Sequence, residues 1–345
     1  MKHIIGGNEV VAAPQVKTIV VGEDFAGLRL DNFLLRQLKG VPKTHVYRII
    51  RSGEVRVNKG RVSADARLQT GDAVRLPPLR VSQSAAKKSL AMTTGVVTGM
   101  LARDLVILFE DEHLLAINKP AGLAVHGGSG ISFGVIEQLR MLRPQVKFLE
   151  LVHRLDRDTS GILLIAKKRS ALKNLQDQFR ERETGKQYLA LVAGRWPANH
   201  KVLDKPLHKY LLADGERRVK VVARDDPDGM PSVTLVKVRW STPPGKPGAL
   251  TGVGCSLLEI TLKTGRTHQI RVHLASEGFP ILGDDKYGDF DLNKALQRGT
   301  EAGALKRMFL HAWCLQFNHP ASGERIELSA PLPTDLEVFA NHAAP

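Results

Sequence analysis

The sequence predicts an α+β protein: a large, mixed but mainly antiparallel sheet with flanking helices, preceded by a small, basic α/β domain of two helices and a hairpin. Three observations carry that prediction. Over residues 105–340, short strand-like apolar runs outnumber helical ones and mix with them irregularly rather than in a βαβ alternation. Residues 18–80 hold two amphipathic helical stretches followed by alternating segments punctuated by turn residues. Between these regions, residues 81–104 are rich in Ser, Ala and Thr without a period and read as a linker, while residues 1–17 read as a loose tail.

In the first domain, Leu30, Phe33, Leu34 and Leu38 recur at helical spacing with Arg36 and Lys39 off the stripe, and Gly40 with Pro42 ends the helix. A second helix fits 43–51, where Val46, Ile49 and Ile50 are apolar and Lys43, Arg48 and Arg51 basic; Gly53 stops it. Val55 and Val57 alternate with Glu54 and Arg56, Asn58-Lys59-Gly60 supplies a turn, and Arg61-Val62 begins a return strand. A further strand fits 72–76. In the larger domain, 105–109 and 114–117 are buried-strand candidates joined by the acidic turn Glu110-Asp111-Glu112. Val135, Ile136, Leu139 and Leu142 mark one helix; Leu172, Leu175 and Phe179 mark another, opened by Ser170. Strands also fit 162–166, 188–193, 232–240, 255–262 and 271–274.

Composition narrows the function. The chain has 345 residues, 43% hydrophobic and 25% charged, which excludes wholesale disorder. No apolar run approaches the roughly 20 residues of a membrane span, and no secretory apolar stretch follows Met1, so a cytoplasmic protein is expected. The two cysteines, Cys255 and Cys314, cannot build a disulfide framework or a cysteine zinc site and read as core thiols. Lys and Arg number 50 against 35 Asp and Glu, a formal charge of +15, which suits a polyanionic partner such as nucleic acid. In 18–80 the basic residues Arg36, Lys39, Lys43, Arg48, Arg51 and Lys59 gather on the two helices and the turn, as on a phosphate-binding face. With only 5% aromatic residues, such a grip would rest on phosphates and shape rather than base stacking.

Two polar clusters could carry chemistry. His153-Arg154-Leu155-Asp156-Arg157-Asp158-Thr159-Ser160-Gly161 leads directly into an apolar strand, so charged groups are pinned to a rigid edge; a self-paired surface loop is the alternative. Asp156 and Asp158 could form an acid/base pair, although carboxylates two residues apart need not converge on one bond. In the second cluster, Lys263 to His273, Gly265 supplies a turn and Ile270 and Val272 alternate with Arg271 and His273, which places Arg271 on a strand where it could orient a carboxylate. A satisfied edge-strand arginine is the other reading. His153, His268 and His273 lack metal-ligand spacing, so no metal is expected. Gly127-Gly128-Ser129-Gly130, ahead of a helix, could hold a phosphate, yet it lacks both the P-loop and the dinucleotide spacing, so no nucleotide cofactor is expected.

The loop His153 to Gly161 resembles the signature loop of the RNA pseudouridine synthases that modify ribosomal large-subunit RNA. Asn118-Lys119-Pro120-x-Gly122, Lys186-x-Tyr188, Gly265-Arg266-Thr267-His268-Gln269-Ile270-Arg271 and Arg307-x-x-Leu310-His311-Ala312 follow in that family's order. The helix pair with Gly53-Glu54-Val55-Arg56-Val57-Asn58-Lys59 resembles the S4 RNA-binding domain. Together the likenesses span roughly residues 18–335.

The resemblance implies isomerisation of several uridines of 23S ribosomal RNA around the peptidyl-transferase region. The bond from ribose C1′ to uracil N1 breaks and C1′ rejoins at C5, with no cofactor. It makes Asp156 the acting carboxylate, able to attack, to deprotonate or to stabilise charge at the sugar. It makes Arg271 the partner that aims Asp156, Tyr188 the residue that packs on the uracil and helps remove the C5 proton, and Asp158 a neighbour that holds the loop by hydrogen bonds. Lys186 and Arg266 contact backbone or loop. The uridine must be flipped out of its stack, and Arg154 matches the residue that fills the vacated space. The expected partner is large-subunit RNA or an assembly intermediate, met by a monomer. The alternative class is a ribosome assembly factor that grips RNA without catalysis.

Overall fold

A computed structural model gives the fold, and its described residues are 16–22, 25–38, 41, 43–78, 105–127, 134–243, 254–299 and 304–345. They fall into two compact units, divided between residues 100 and 101. The linker 81–104, the tail through residue 15, Lys39, residues 128–130 of the glycine-rich segment and the side chain of Lys43 lie outside the described residues.

The smaller unit orders β1 (Lys17–Val20), α1 (Leu30–Gln37), α2 (Lys43–Arg51), β2 (Arg56–Val57) and β3 (Ala73–Leu76). The strands form a sheet in the order β1-β3-β2, all antiparallel. Phe33 and Leu34 from α1, Val46 and Ile49 from α2, and Val74 from β3 are fully buried together, which explains why two short helices hold their form. Both helices stand where the periodicity places them. Two strand expectations change. Lys17 opens a strand rather than closing a tail, and β2 pairs with β3, not with 61–62. The turn expectation stands, with Asn58 and Lys59 both at positive φ (50° and 68°). Asn58 also braces β3, its Oδ1 accepting from Ala73 N at 2.9 Å.

The larger unit runs β4 (Val106–Glu110), β5 (Leu114–Lys119), α3 (Val135–Leu142), β6 (Glu150–Leu151), β7 (Ser160–Ala166), α4 (Arg169–Glu181), β8 (Gly185–Ala193) and β9 (Val202–Asp204). It continues with β10 (Leu207–Leu211), β11 (Arg217–Val221), β12 (Val233–Ser241), β13 (Cys255–Leu262), α5 (Gln269–Ser276), α6 (Phe290–Gln297), β14 (Leu310–Asn318), β15 (Arg325–Ser329) and α7 (Thr334–Ala343). Ten described strands make one sheet along β4-β5-β7-β14-β8-β13-β12-β9, with β6 on β7 and β15 on β14; β10 and β11 form a separate ribbon. Every pairing in the large sheet is antiparallel except β7 with β14. The expectation of a mixed, mainly antiparallel sheet is therefore met.

Strand β7 is buried along its whole length, and the period of two sorts its side chains. Leu163 and Ile165 pack with α3, while Ile162 and Leu164 pack with Ala171 and Leu175 of α4. Helix α4 is opened by Lys168, two positions before the expected Ser170, and no side chain caps it. A larger error concerns 271–274, expected as a strand. It is the centre of α5, and Gln269 through Leu274 are all buried. A helix enclosed on all sides shows no polar face, so its β-branched residues imitate strand alternation. Cys255 and Cys314 are buried thiols as expected.

The parallel contact of β7 with β14 involves only His311 with Ser160 and Ala312 with Gly161. Gly161 sits at φ 114°, and a Cβ there would lie 2.2 Å from the Ala312 carbonyl oxygen. Only glycine allows this approach. Gly161→Ala is expected to cost at least about 2 kcal/mol, read as a lowered thermal midpoint with weakened activity.

Candidate active site

Asp156 lies on the loop between β6 and β7, at the first position of a turn closed by Thr159 N donating to the Asp156 carbonyl at 3.3 Å. Its flanking residues anchor it, since Leu155 is buried against the α3 core and Thr159 is buried beside β7. A buried lysine at the end of β5 ties the Arg157 carbonyl of the loop to the segment that follows β5. Lys119, at 0% exposure, donates from Nζ to the carbonyls of Pro120 and Leu123 (2.8 Å each) and of Arg157 (3.0 Å). Burial pushes its amine down to about 7 against the pull of Asp158 and Asp156, and three carbonyl acceptors call on all three N–H bonds of the ammonium. At the other end, Ser160 Oγ lies 2.9 Å from His311 Nδ1 and accepts from Arg307 Nη1 at 3.2 Å. Asp158, expected to hold the loop, instead pairs with its neighbour Arg157 at 3.1 Å, half-exposed.

The Asp156 carboxylate borders a cavity of about 460 Å³, a size suited to a single nucleotide. Arg154, Lys186, Tyr188, Arg266 and Arg271 line the same cavity. The structure thus brings together residues that the sequence singled out, Arg154, Asp156, Lys186, Tyr188, Arg266 and Arg271 among them. Arg154 is exposed at its rim. Tyr188 stands on β8; burial and then the charge of Asp156 raise its pKa, so the phenol keeps its proton. Arg48, Arg51 and Lys59 are exposed on the N-terminal unit, and Arg36 is half-buried there.

Arg271 reaches Asp156 from α5, with Nη1 3.5 Å from Oδ2. Its principal partner is one the sequence reading missed. Asp284 accepts from Nε at 2.7 Å and from Nη2 at 2.6 Å, a two-pronged pair in which Arg271 is 3% and Asp284 1% exposed. Asp285 adds a weaker contact to Nη2 at 3.4 Å. Burial opposes charge on both members, yet the pairing wins on each side: the Arg271 pKa is raised and the Asp284 pKa lowered. Asp284 Oδ1 also accepts from Lys286 N (2.8 Å) and Tyr287 N (3.0 Å), and the Tyr287 ring lies 5.2 Å beneath the guanidinium. The only signal for Asp284 in the chain is a charged cluster breaking the apolar run after Ile281-Leu282, and the partner thirteen residues upstream is set by folding.

The turn before α5 is built to aim its residues. Gln269 Oε1 accepts from Thr264 Oγ1 (2.8 Å) and Arg266 N (3.0 Å), and its Nε2 donates to Val233 O (3.0 Å) and Thr234 Oγ1 (2.9 Å). His268 then takes a left-handed φ of 53°, uncommon for a residue with a side chain, and its Nε2 faces Asp156 Oδ2 at 3.8 Å. Asp156 Oδ1 makes no hydrogen bond to a described residue. One carboxylate oxygen is thus held while the other is available to the cavity.

The sequence of residues 113–276 matches the family model for RNA pseudouridylate synthase, and 28–74 matches the S4 domain. The chain belongs to the RNA pseudouridine synthase family and carries an S4 RNA-binding domain ahead of the enzyme domain. It is similar to the "Ribosomal large subunit pseudouridine synthase C" of Salmonella typhimurium, 50% identical over 94% of this chain and 95% of that one. The proteins of the same name from Haemophilus influenzae (50%, 96% of each chain) and Escherichia coli K12 (50%, 94% and 95%) are equally similar. Among solved structures, human RNA Pseudouridylate Synthase Domain Containing 1 superposes with a TM-score of 0.57 at 25% identity, covering 72% of this chain and 91% of that one. Domain Containing 4 gives 0.54 at 28%, over 70% and 95%. Among the described residues, no helix is long and apolar enough to cross a membrane.

Two predictions follow from this geometry. Asp284→Ala removes both short hydrogen bonds of a buried guanidinium and leaves it only the longer contacts to Asp156 and Asp285, and unfolding stability is expected to drop by about 3–5 kcal/mol with pseudouridine formation sharply reduced. Acid is expected to destabilise the domain through two histidines. Burial lowers His153 and His311 from 6.5 to about 4, so the unfolded chain binds protons more readily between those values and stability falls as pH drops through that window. His153 Nε2 accepts from Leu164 N at 3.1 Å, so His153→Gln, which keeps an acceptor, should flatten the pH dependence of the thermal midpoint by about one proton.

Proposed function

We propose that the protein isomerises uridines of large-subunit ribosomal RNA to pseudouridine, at several positions, with Asp156 as the acting carboxylate. The 50% identity to enzymes named for the large ribosomal subunit supports the substrate. The observation that carries the catalytic reading is the Asp156 carboxylate, steadied on Oδ2 by Arg271 and unengaged on Oδ1, at the edge of a nucleotide-sized cavity. In this reading residues 18–80 bind RNA through Arg36, Lys39, Lys43, Arg48, Arg51 and Lys59. Residues 81–104 connect them to a catalytic domain at 105–340.

The target uridine leaves its stack at a cost of a few kcal/mol, and Arg154, at the cavity rim, takes its place with a planar group that stacks and hydrogen-bonds at once. Inside the cavity Tyr188 packs on the uracil. Its raised pKa favours a neutral phenol, which supports packing over proton abstraction. Asp156 Oδ1 then meets C1′ or the positive charge developing there as the bond to N1 breaks. Once the base has turned, C1′ bonds to C5, the proton displaced from C5 is lost and N1 takes one up, so substrate and product are isomers and the reaction consumes nothing.

Asp156→Asn and Asp156→Ala are expected to lose more than about 10³-fold in turnover on unmodified large-subunit RNA while still binding it. Pseudouridine formed at the wild-type rate would remove Asp156 from its role. Binding of the same RNA is expected to weaken by on the order of 10³–10⁵ between about 50 and 200 mM salt. Replacing Arg48 and Arg51 together with Ala should reduce that salt slope by about two phosphate contacts, measured by titration at several salt concentrations.

A further inference from the structure

His268 is a pocket-lining residue that the proposed mechanism has not used, and its surroundings fix which ring nitrogen carries the proton. On one side, Nδ1 lies 2.8 Å from the Tyr287 hydroxyl. That hydroxyl already accepts from Val219 N at 3.0 Å. If Nδ1 also donated to it, the phenolic hydrogen would have no acceptor among the described residues; with Nδ1 as acceptor, the hydroxyl both accepts and donates. On the other side, Nε2 faces the Asp156 carboxylate at 3.8 Å. A bare lone pair there would oppose a negative oxygen, whereas an N–H points its positive end at it. Both ends select the same tautomer. Burial lowers the His268 pKa, with Arg271 and Lys286 adding to it against Asp156 and Asp284, which supports a neutral ring with one proton to place.

We infer that His268 is a positioning residue for Asp156: its Nε2–H, locked by the Val219–Tyr287 hydrogen-bond chain, joins Arg271 in holding Oδ2 and so leaves Oδ1 as the reacting oxygen. The 3.8 Å separation is longer than a hydrogen bond and closes by a small rotation when substrate fills the cavity, as bonds at catalytic groups commonly do. The chain begins on β11, whose ribbon packs through Leu207 and Val219 against Val272 of α5. A strand outside the large sheet thereby sets the protonation geometry at the catalytic carboxylate. The inference rests on the proposed role of Asp156.

Tyr287→Phe tests it cleanly, because the ring that lies beneath Arg271 is kept and only the hydroxyl is lost. Long-range ¹H–¹⁵N correlation spectra of the full-length protein report ring tautomers directly, with the His268 signals assigned by their disappearance in His268→Gln. The wild type is expected to show the Nε2–H form and Tyr287→Phe a mixture of both forms. With unmodified large-subunit RNA, Tyr287→Phe and His268→Gln should each lower kcat about 10- to 100-fold with KM unchanged within about twofold. A wild-type ring protonated on Nδ1, or both variants turning over at the wild-type rate, overturns the inference. Asp156→Asn separates the two levels. If it stays active, the role of Asp156 fails and this inference with it. If it is inactive while the wild-type His268 is Nδ1-protonated, only the positioning role fails.

Discussion

The arrangement of the site depends on one buried ion pair. Arg271 and Asp284 are both withdrawn from water, and two short hydrogen bonds between them offset a desolvation cost that neither could bear alone. The pair fixes the guanidinium with two of its nitrogens, so Nη1 is left at a defined place for Asp156. A surface arginine paired only with Asp156 would be free to swing away and would be screened by salt. Fixing the cation first, and letting the Asp156 carboxylate meet it second, gives Asp156 a constant field while keeping it partly exposed to the cavity.

The loop bearing Asp156 is determined in the same indirect manner. Its own charges contribute little, since Arg157 and Asp158 pair with each other at the surface. What holds it comes from distant segments: the Lys119 ammonium on the Arg157 carbonyl, Arg307 and His311 on Ser160, and the β14 backbone against Gly161. The separate sequence motifs are therefore parts of one support. Each supplies a contact to a loop that has too few apolar residues to hold itself, and the loop sits where the fully buried strand β7 begins.

An enzyme that acts on a base inside folded RNA must expose its reacting group to a large ligand yet keep that group from wandering. The described site meets both demands by dividing the carboxylate. Oδ2 is turned toward Arg271 and His268, and Oδ1 makes no hydrogen bond to a described residue. The cavity around it carries Arg154, Lys186 and Arg266, so its rim suits a phosphate-bearing strand while Tyr188 and Ile270 offer apolar surface to a base.

The amino-acid sequence by itself determined the strand-rich class, the two helices of the N-terminal unit, the order of the motifs and the loop that carries Asp156. Those features are local, because a period, a turn residue or a cluster of charges is written in neighbouring positions. Tertiary structure decided the rest. It made a helix of 269–276, whose burial from Gln269 through Leu274 erased the amphipathic signal and whose Ile270 and Val272 imitated a strand. It also chose Asp284 for Arg271, Tyr287 for His268 and the carbonyl of Arg157 for Lys119. These partners are far apart along the chain or lie in unremarked turns, and a long-range pairing is selected by which surfaces the folded sheet brings within about 3 Å, which no local pattern records.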